Sequence, residues 1–291
     1  MSVQLSTVLC EELEKIVENP VLRIQSVSGG DINDAYRIET KDQSYFLKVN
    51  QYPNGVQMLD CEADGLRALS KRAPLRVPRV LGRGTTTGQH WLLLEYFAPG
   101  GVDNSFWERF GQQLAQLHRQ SSPMFGWDGD NYIGSLPQSN VRRATWAEFY
   151  AQERLEPQLR RALNSGRLQA TDLQNAYRLY KKLTAICPEE PPALTHGDLW
   201  SGNFLVAADG SPVLIDPSVS YAHREMDLAL SQLFGGFAPL FYRAYQDQYP
   251  VAPNFAERIT VYQLYYILVH VNLFGGSYVQ QARRILAHFG G

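Results

Sequence analysis

Cysteine is scarce in this chain: Cys10, Cys61 and Cys187 are the only three in 291 residues, far apart and in no C-x-x-C arrangement. A disulfide framework is excluded, and a reduced, cytoplasmic setting is expected. Charge of one sign is also missing. Lys and Arg number 27 against 29 Asp and Glu, the net charge is −2, and no basic run exceeds two residues. Such a surface lacks the basic footprint of a nucleic-acid or anionic-membrane binder. No apolar run is long enough to span a bilayer. The most apolar stretch, Ile259 to Phe274, contains Gln263, His270 and Asn272 and reads as a buried helix. Near the start, Glu11, Glu12 and Glu14 stand where a signal peptide would need a basic opening and an apolar run. Common catalytic motifs are absent as well: there is no G-x-x-x-x-G-K-[ST], H-E-x-x-H or G-x-S-x-G, and no zinc-type Cys/His spacing.

What is present is a globular composition, 44% hydrophobic, 12% aromatic and 19% charged. A chain of this length is expected to bury about three quarters of its unfolded surface, so a core needs no staple. Its character changes near residue 98. Before that point, Ile24 to Ser28, Ala35 to Glu39 and Tyr45 to Val49 are short segments rich in β-branched and aromatic residues, separated by turn residues, and they predict a three-strand meander. A helix is expected from Val56 to Ser70, with Leu59, Glu62, Leu66 and Leu69 on one face. Val77 to Leu81 and His90 to Phe97 predict a hairpin around Gly84 to Gly88, and Ala98-Pro99-Gly100-Gly101 predicts a linker. The domain boundary falls there, giving 1–98 and 99–291.

Beyond it Asn104 can cap a helix with Phe106, Phe110, Leu114 and Leu117 as its apolar stripe. Further helices are expected at Trp146 to Leu163, Thr171 to Ile186, Met226 to Phe234, Pro239 to Gln248 and Phe255 to Phe274. Phe204 to Ala207 and Pro212 to Ile215 interrupt them as two strands joined at Asp209-Gly210.

Polar residues flank that hairpin. His196-Gly197-Asp198-Leu199-Trp200-Ser201-Gly202-Asn203 precedes it and Asp216 follows, so Asp198 and Asn203 are five apart and Asn203 and Asp216 thirteen apart. Protein kinases place a base, a magnesium ligand and a second metal-binding Asp in this order. The residue types suit phosphoryl transfer. Mg2+ delivered with ATP is a hard cation that prefers oxygen ligands, which the Asn203 amide and the Asp216 carboxylate supply. Asp198 is the candidate base for the acceptor hydroxyl. Lys48 on the third strand is the candidate cation for the phosphates, with Glu62 as its clamp. Gly29 and Gly30, in Ser28-Gly29-Gly30-Asp31-Ile32-Asn33, are candidates to cover the phosphates, without the full G-x-G-x-x-G. Each residue alone has an ordinary structural explanation as a cap, turn or solvated strand position. Their joint order across a strand-rich and a helix-rich half is what points to a kinase.

Leu194 to Asn203, followed by Leu214-Ile215-Asp216-Pro217-Ser218, resembles the fructosamine kinase (ketosamine 3-kinase) family, itself related to the aminoglycoside phosphotransferases. Asn131-Tyr132-Ile133-Gly134, Pro137-Gln138-Ser139-Asn140, Tyr221 to Leu228 and Phe234-Gly235-Gly236-Phe237 extend the likeness along nearly the whole chain. The resemblance implies an α+β, two-lobed protein-kinase-like fold: a small antiparallel-sheet N-lobe with one helix, and a larger, mainly helical C-lobe. It implies ATP with its adenine near Glu95, Tyr96 and Phe97, and transfer of phosphate to the 3-hydroxyl of a free or protein-bound ketosamine, a deglycation chemistry. Trp200, His223 and Glu225 are then candidates to border the acceptor pocket, and Asp227 resembles the acid that anchors a kinase catalytic loop. The alternatives are the same chemistry on an aminoglycoside-like or other hydroxyl, and a nucleotide-binding pseudokinase.

Overall fold

The structure, a computed structural model, describes residues 5–27, 33–72, 74–103 and 105–290. Along the chain run α1 (Thr7–Val17), β1 (Arg23–Val27), β2 (Asp34–Glu39), β3 (Ser44–Asn50), α2 (Gly55–Arg72), β4 (Val80–Thr86), β5 (Gln89–Glu95), α3 (Phe106–His118), β6 (Asn131–Ile133) and β7 (Leu136–Gln138). Next come α4 (Trp146–Phe149), a π-helical turn at Tyr150–Leu155, α5 (Glu156–Asn164), α6 (Ala170–Ile186), β8 (Ala193–Thr195), β9 (Phe204–Val206), β10 (Pro212–Leu214) and β11 (Ser220–Ala222). The helices α7 (Glu225–Leu233), α8 (Pro239–Gln248), α9 (Phe255–Leu273) and α10 (Ser277–Gly290) close the chain. It divides into two compact units, Met1–Phe106 with Phe204–Ser218, and Trp107–Asn203 with Val219–Gly291. No helix among the described residues is long and apolar enough to cross a membrane.

In the first unit five antiparallel strands are ordered β1-β2-β3-β5-β4. The period of two along β3 sends Tyr45, Leu47 and Val49 to one face, where they join Leu9 and Leu13 of α1, Tyr36, Ile38 and Trp91 in a core. Phe46, Lys48 and Asn50 therefore point to the opposite face. Leu59, Leu66 and Leu69 of α2 are buried as their spacing predicts. The expected strand at Val77 to Leu81 is corrected: β4 runs Val80–Thr86 through two glycines, with a bulge between Val80 and Gly82. The buried Trp91 indole explains the shift, because it covers β4 so closely that a Cβ on Gly84 would lie 2.8 Å from Cζ2. Gly84→Ala should lower unfolding stability by about 1–3 kcal/mol, the usual range for overpacking, read from a denaturant midpoint at unchanged m-value. The hairpin β9–β10 also belongs to this unit. Gly100 N–H donates to the Val206 carbonyl at 2.8 Å, Leu214 N–H donates to the Arg76 carbonyl at 2.9 Å, and Arg76 Nη1 lies 2.8 Å from Asp209 Oδ2. The segment expected as a plain linker is thus hydrogen-bonded to a strand.

The second unit is mainly helical. Its core centres on α9, which is apolar on all sides and buried accordingly, with α5, α7 and α10 packed against it and α6 packed on α10. The helix expected from Trp146 to Leu163 is interrupted by the π turn, whose Glu153 and Arg154 are buried. Arg154 donates to Asn140 Oδ1 at 2.8 Å and to Ser220 Oγ at 3.1 Å, tying this turn to β11. β11 pairs antiparallel with β8, Ser220 opposite Thr195, and β8 leads directly into His196. The helices α1 and α10 and the short strands β6, β7, β8 and β11 were not expected. The Asn104 cap lies outside the described residues.

Candidate functional site

The residues singled out above fall into two groups, one in each unit. In the first unit, strand alternation turns Lys48 toward α2, where its Nζ lies 2.7 Å from Glu62 Oε1; it also pairs with Asp216 Oδ1. The spacing predicted the Glu62 clamp but not the second carboxylate. Asp216 follows β10 with φ of 54°, a left-handed conformation that costs a non-glycine residue about 1–2 kcal/mol and is held only where the surroundings impose it. Its side chain is 40% exposed, whereas Lys48 is 9% exposed. Burial disfavours the Lys48 charge, but Asp216 and Glu62 outweigh it and hold the ammonium well above its ordinary range.

Burial pushes Glu62 up to about 7, against the attraction of Lys48 and with the repulsion of Asp216. This native value lies above the ordinary 4.5, so between those pH values the folded chain retains a proton that the unfolded chain has released. The stability that Glu62 contributes is therefore complete below pH 4.5 and lost as pH rises to about 7. Glu62→Gln should flatten that part of the stability profile, measured by urea unfolding across the window.

Glu95 ends β5 opposite Tyr45, and Tyr96 and Phe97 continue beyond this last pair of the ladder. Their rings are covered by Arg37 at 4.8 Å and Arg76 at 4.7 Å. Gly29 and Gly30 lie outside the described residues.

In the second unit the loop after β8 is held from below. Asp227, fully buried on α7, accepts from His196 N–H at 2.7 Å and Gly197 N–H at 2.9 Å, and its Oδ2 lies 3.1 Å from His118 Nε2. Burial alone would raise this carboxyl; the His118 contact and the loop amides hold it below its ordinary range. Tyr266 donates to the Gly197 carbonyl at 3.1 Å, and Gly197 takes φ of 83°, accessible to glycine without strain. Asn203 Nδ2 donates to both the backbone carbonyl and Oδ2 of Asp198 at 2.8 Å. Committing its amide nitrogen in this way orients Oδ1 as the remaining acceptor, the atom a hard cation takes. Among the described residues no group of three His, Cys, Asp or Glu side chains could hold a metal ion. Asn203 in the second unit and Asp216 in the first each offer an oxygen of the kind a hard cation takes.

Trp200, two residues beyond Asp198, is 39% exposed, and its ring lies over Gly202, where a Cβ would come within 2.4 Å of it. It meets Phe234 at 6.2 Å, Phe234 meets His270 at 4.8 Å, and His270 meets Tyr278 at 4.8 Å. The sequence reading missed this aromatic row beyond Trp200; the one available signal was a His at the end of an otherwise apolar helix. Two of the residues expected to border the acceptor pocket are buried. Glu225 is wholly buried and gripped by Arg258, whose Nε lies 2.7 Å from its Oε2. His223 is equally buried, packed on Trp146 and Tyr262, with Nε2 3.2 Å from the Pro188 carbonyl. An acceptor cannot reach either without unpacking the core.

A buried Lys between two carboxylates, and a braced His-Gly-Asp loop whose Asp is fixed by an Asn, are the parts that phosphoryl transfer requires. The family model for fructosamine kinase matches residues 1–289. A probable ketoamine kinase from Lactiplantibacillus plantarum is 43% identical over 271 residues, covering 92% of this chain and 95% of the relative. The chloroplastic protein-ribulosamine 3-kinase of Arabidopsis thaliana is 36% identical over 275 residues, covering 91% and 82%. Among solved structures, a candidate fructosamine-3-kinase from Thermobifida fusca superposes with a TM-score of 0.86 at 33% identity, covering 97% of this chain and 98% of its own. An aminoglycoside phosphotransferase solved with AMP-PNP and hygromycin B shares the fold, with a TM-score of 0.64 at 16% identity over 98% and 99% of the two chains. On the full-length match and on these relatives, the chain belongs to the fructosamine kinase family.

Proposed function

We propose that this protein transfers the γ-phosphate of ATP to the 3-hydroxyl of ketosamines, free or protein-bound. The observation that carries this reading is Lys48 held between Glu62 and Asp216. In our reading residues 1–98 cover the nucleotide, with Gly29 and Gly30 over the phosphates and Glu95, Tyr96 and Phe97 beside the adenine. Residues 99–291 supply the catalytic loop, the metal ligands and the acceptor contacts. Lys48 binds the phosphates, and Asp198 takes the proton from the acceptor hydroxyl as its oxygen bonds to the γ-phosphorus and the bond to the bridging β–γ oxygen breaks, releasing ADP. Asn203 orients Asp198 and, with Asp216, would hold Mg2+; that ion would neutralise charge developing on the phosphates. Trp200 and its aromatic row offer a face for the sugar, with no contribution from His223 or Glu225.

The product explains the utility of the reaction. Phosphate on the carbon beside a ketone is a better leaving group than hydroxide, so the adduct can eliminate it and free the amine. The three cysteines, in no disulfide, support a cytoplasmic site of action. An ADP-release assay with fructoselysine, ribuloselysine, erythruloselysine and an aminoglycoside in parallel tests the reading. Turnover is expected with at least one ketosamine and not with the aminoglycoside; the opposite pattern would transfer the chemistry to another hydroxyl.

A further inference from the structure

A chain of buried polar groups in the second unit runs away from the catalytic loop, and only its last member, Asp227, has a role so far. Behind Asp227 stand His118 of α3, Tyr245 of α8 and Arg224, all buried. Asp227 Oδ2 takes two donors at once, His196 N–H at 2.7 Å and His118 Nε2 at 3.1 Å. On the other side of the imidazole, His118 Nδ1 lies 2.8 Å from the Tyr245 hydroxyl, and that oxygen lies 3.2 Å from Arg224 Nη1. Arg224 is fixed in turn by Glu190, with Nε 2.6 Å from Oε2 and Nη2 2.8 Å from Oε1, and by the Tyr249 and Pro250 carbonyls. Glu190 stands shortly before β8, which leads into His196. The hydrogen bonds therefore close a circuit through the loop: they leave the chain at Glu190 and return to it at His196 and Gly197.

Donor and acceptor chemistry fixes each proton in this circuit. A guanidinium only donates and an ionised carboxylate only accepts, so Arg224 gives to the Tyr245 oxygen and His118 Nε2–H gives to Asp227. Burial holds the Tyr245 phenol above its ordinary range against the pull of Arg224, so it keeps its proton. Among the described residues that proton has one acceptor, His118 Nδ1. An imidazolium would leave the phenol proton with nothing to accept it, whereas the neutral ring protonated at Nε2 satisfies every group. Neutrality matters because His118 and the His196 N–H share one carboxylate oxygen. A full charge on the imidazole would strengthen its own bond to Oδ2 and draw that oxygen from the loop amide. We propose that Tyr245 is a positioning residue for the catalytic loop: its hydroxyl holds His118 in the neutral Nε2–H form, which leaves Asp227 to hold the backbone that carries Asp198. The consequence for turnover rests on the kinase reading; the proton arrangement and the hold on the loop do not.

One measurement is made on the parent protein. In 15N-labelled protein at neutral pH, the ring of His118, assigned by the loss of its signals in His118→Gln, should show a protonated Nε2 and a bare Nδ1. Tyr245→Phe then removes the hydroxyl alone and leaves Arg224 Nη1 its bond to the Tyr249 carbonyl at 2.7 Å. It should move the amide protons of His196 and Gly197 upfield as their bonds to Asp227 lengthen. It should also lower kcat by up to about 10²-fold, the cost of a misplacement on the order of 1 Å, with KM for ATP unchanged. In His118→Gln, whose side-chain amide can donate to Asp227 but has no Nδ1 to satisfy, adding Tyr245→Phe should cost nothing further, as expected of two residues acting along one path. An imidazolium or an Nδ1–H ring in the parent, unmoved loop amides or parental kcat in Tyr245→Phe, or additive losses in the double variant would each overturn the proposal. A parent that turns over no ketosamine would sink the kinase reading instead, and the ring and amide signals would still decide whether Tyr245 holds the loop.

Discussion

Asp198→Asn is expected to reduce turnover by about 10²–10⁴-fold, the span over which a positioned general base contributes, while nucleotide affinity stays near that of the parent. The asymmetry follows from the role. The substitution keeps the size of the side chain and its capacity to accept from Asn203 Nδ2, so the loop should keep its shape. What is lost is the ability to take a proton from the acceptor hydroxyl as the oxygen attacks. Single-turnover phosphate transfer measured beside ADP binding by calorimetry separates these effects. Wild-type turnover in this variant would remove Asp198 from the mechanism, and loss of ADP binding would move it into the nucleotide site.

Asp227→Ala should cost about 3–5 kcal/mol of stability, the range for removing one partner from a buried charged network. It should lower turnover as well, although Asp227 makes no direct chemical contribution in our reading. Three groups converge on its carboxylate: the backbone N–H groups of His196 and Gly197, and the imidazole of His118. Alanine leaves all three buried without an acceptor and lets the Gly197 turn, which carries Asp198, relax. Asp227→Asn keeps one carbonyl acceptor and should restore part of the stability. A denaturant midpoint within the usual ±0.5 kcal/mol of a surface substitution would show that other contacts hold the loop.

These two effects separate what the primary structure states from what packing adds. The Asp198, Asn203 and Asp216 pattern is legible because it is a matter of residue type and order, and order survives in sequence. Lys48 and Glu62 are legible because β alternation and helical spacing are local rules, and both residues fall on the faces those rules assign. The strand β4 misleads. Its glycines read as turn residues, yet they are there to accommodate the Trp91 ring, a partner on the adjacent strand. Three-residue strands such as β8 and β11 are too short to show any period. The stripe of Tyr278, Ala282, Ile285, Leu286 and Phe289 on α10 was available to a periodicity reading.

His223 and Glu225 show the other limit. As members of a polar segment beside a catalytic motif they resemble pocket residues. Only the arrival of Arg258 from α9 and of Trp146 from α4 reveals them as buried structure. The same holds for Asp216, whose partnership with Lys48 joins positions 168 apart in the chain. The amino-acid sequence alone thus determined the class of fold and the family, and it nominated the reactive groups, because these depend on residue type, order and local period. Tertiary structure decided which polar groups are neutralised by partners and which are left with an open acceptor. Burial and Coulomb energies depend on distances between chain segments, and no local rule encodes those distances.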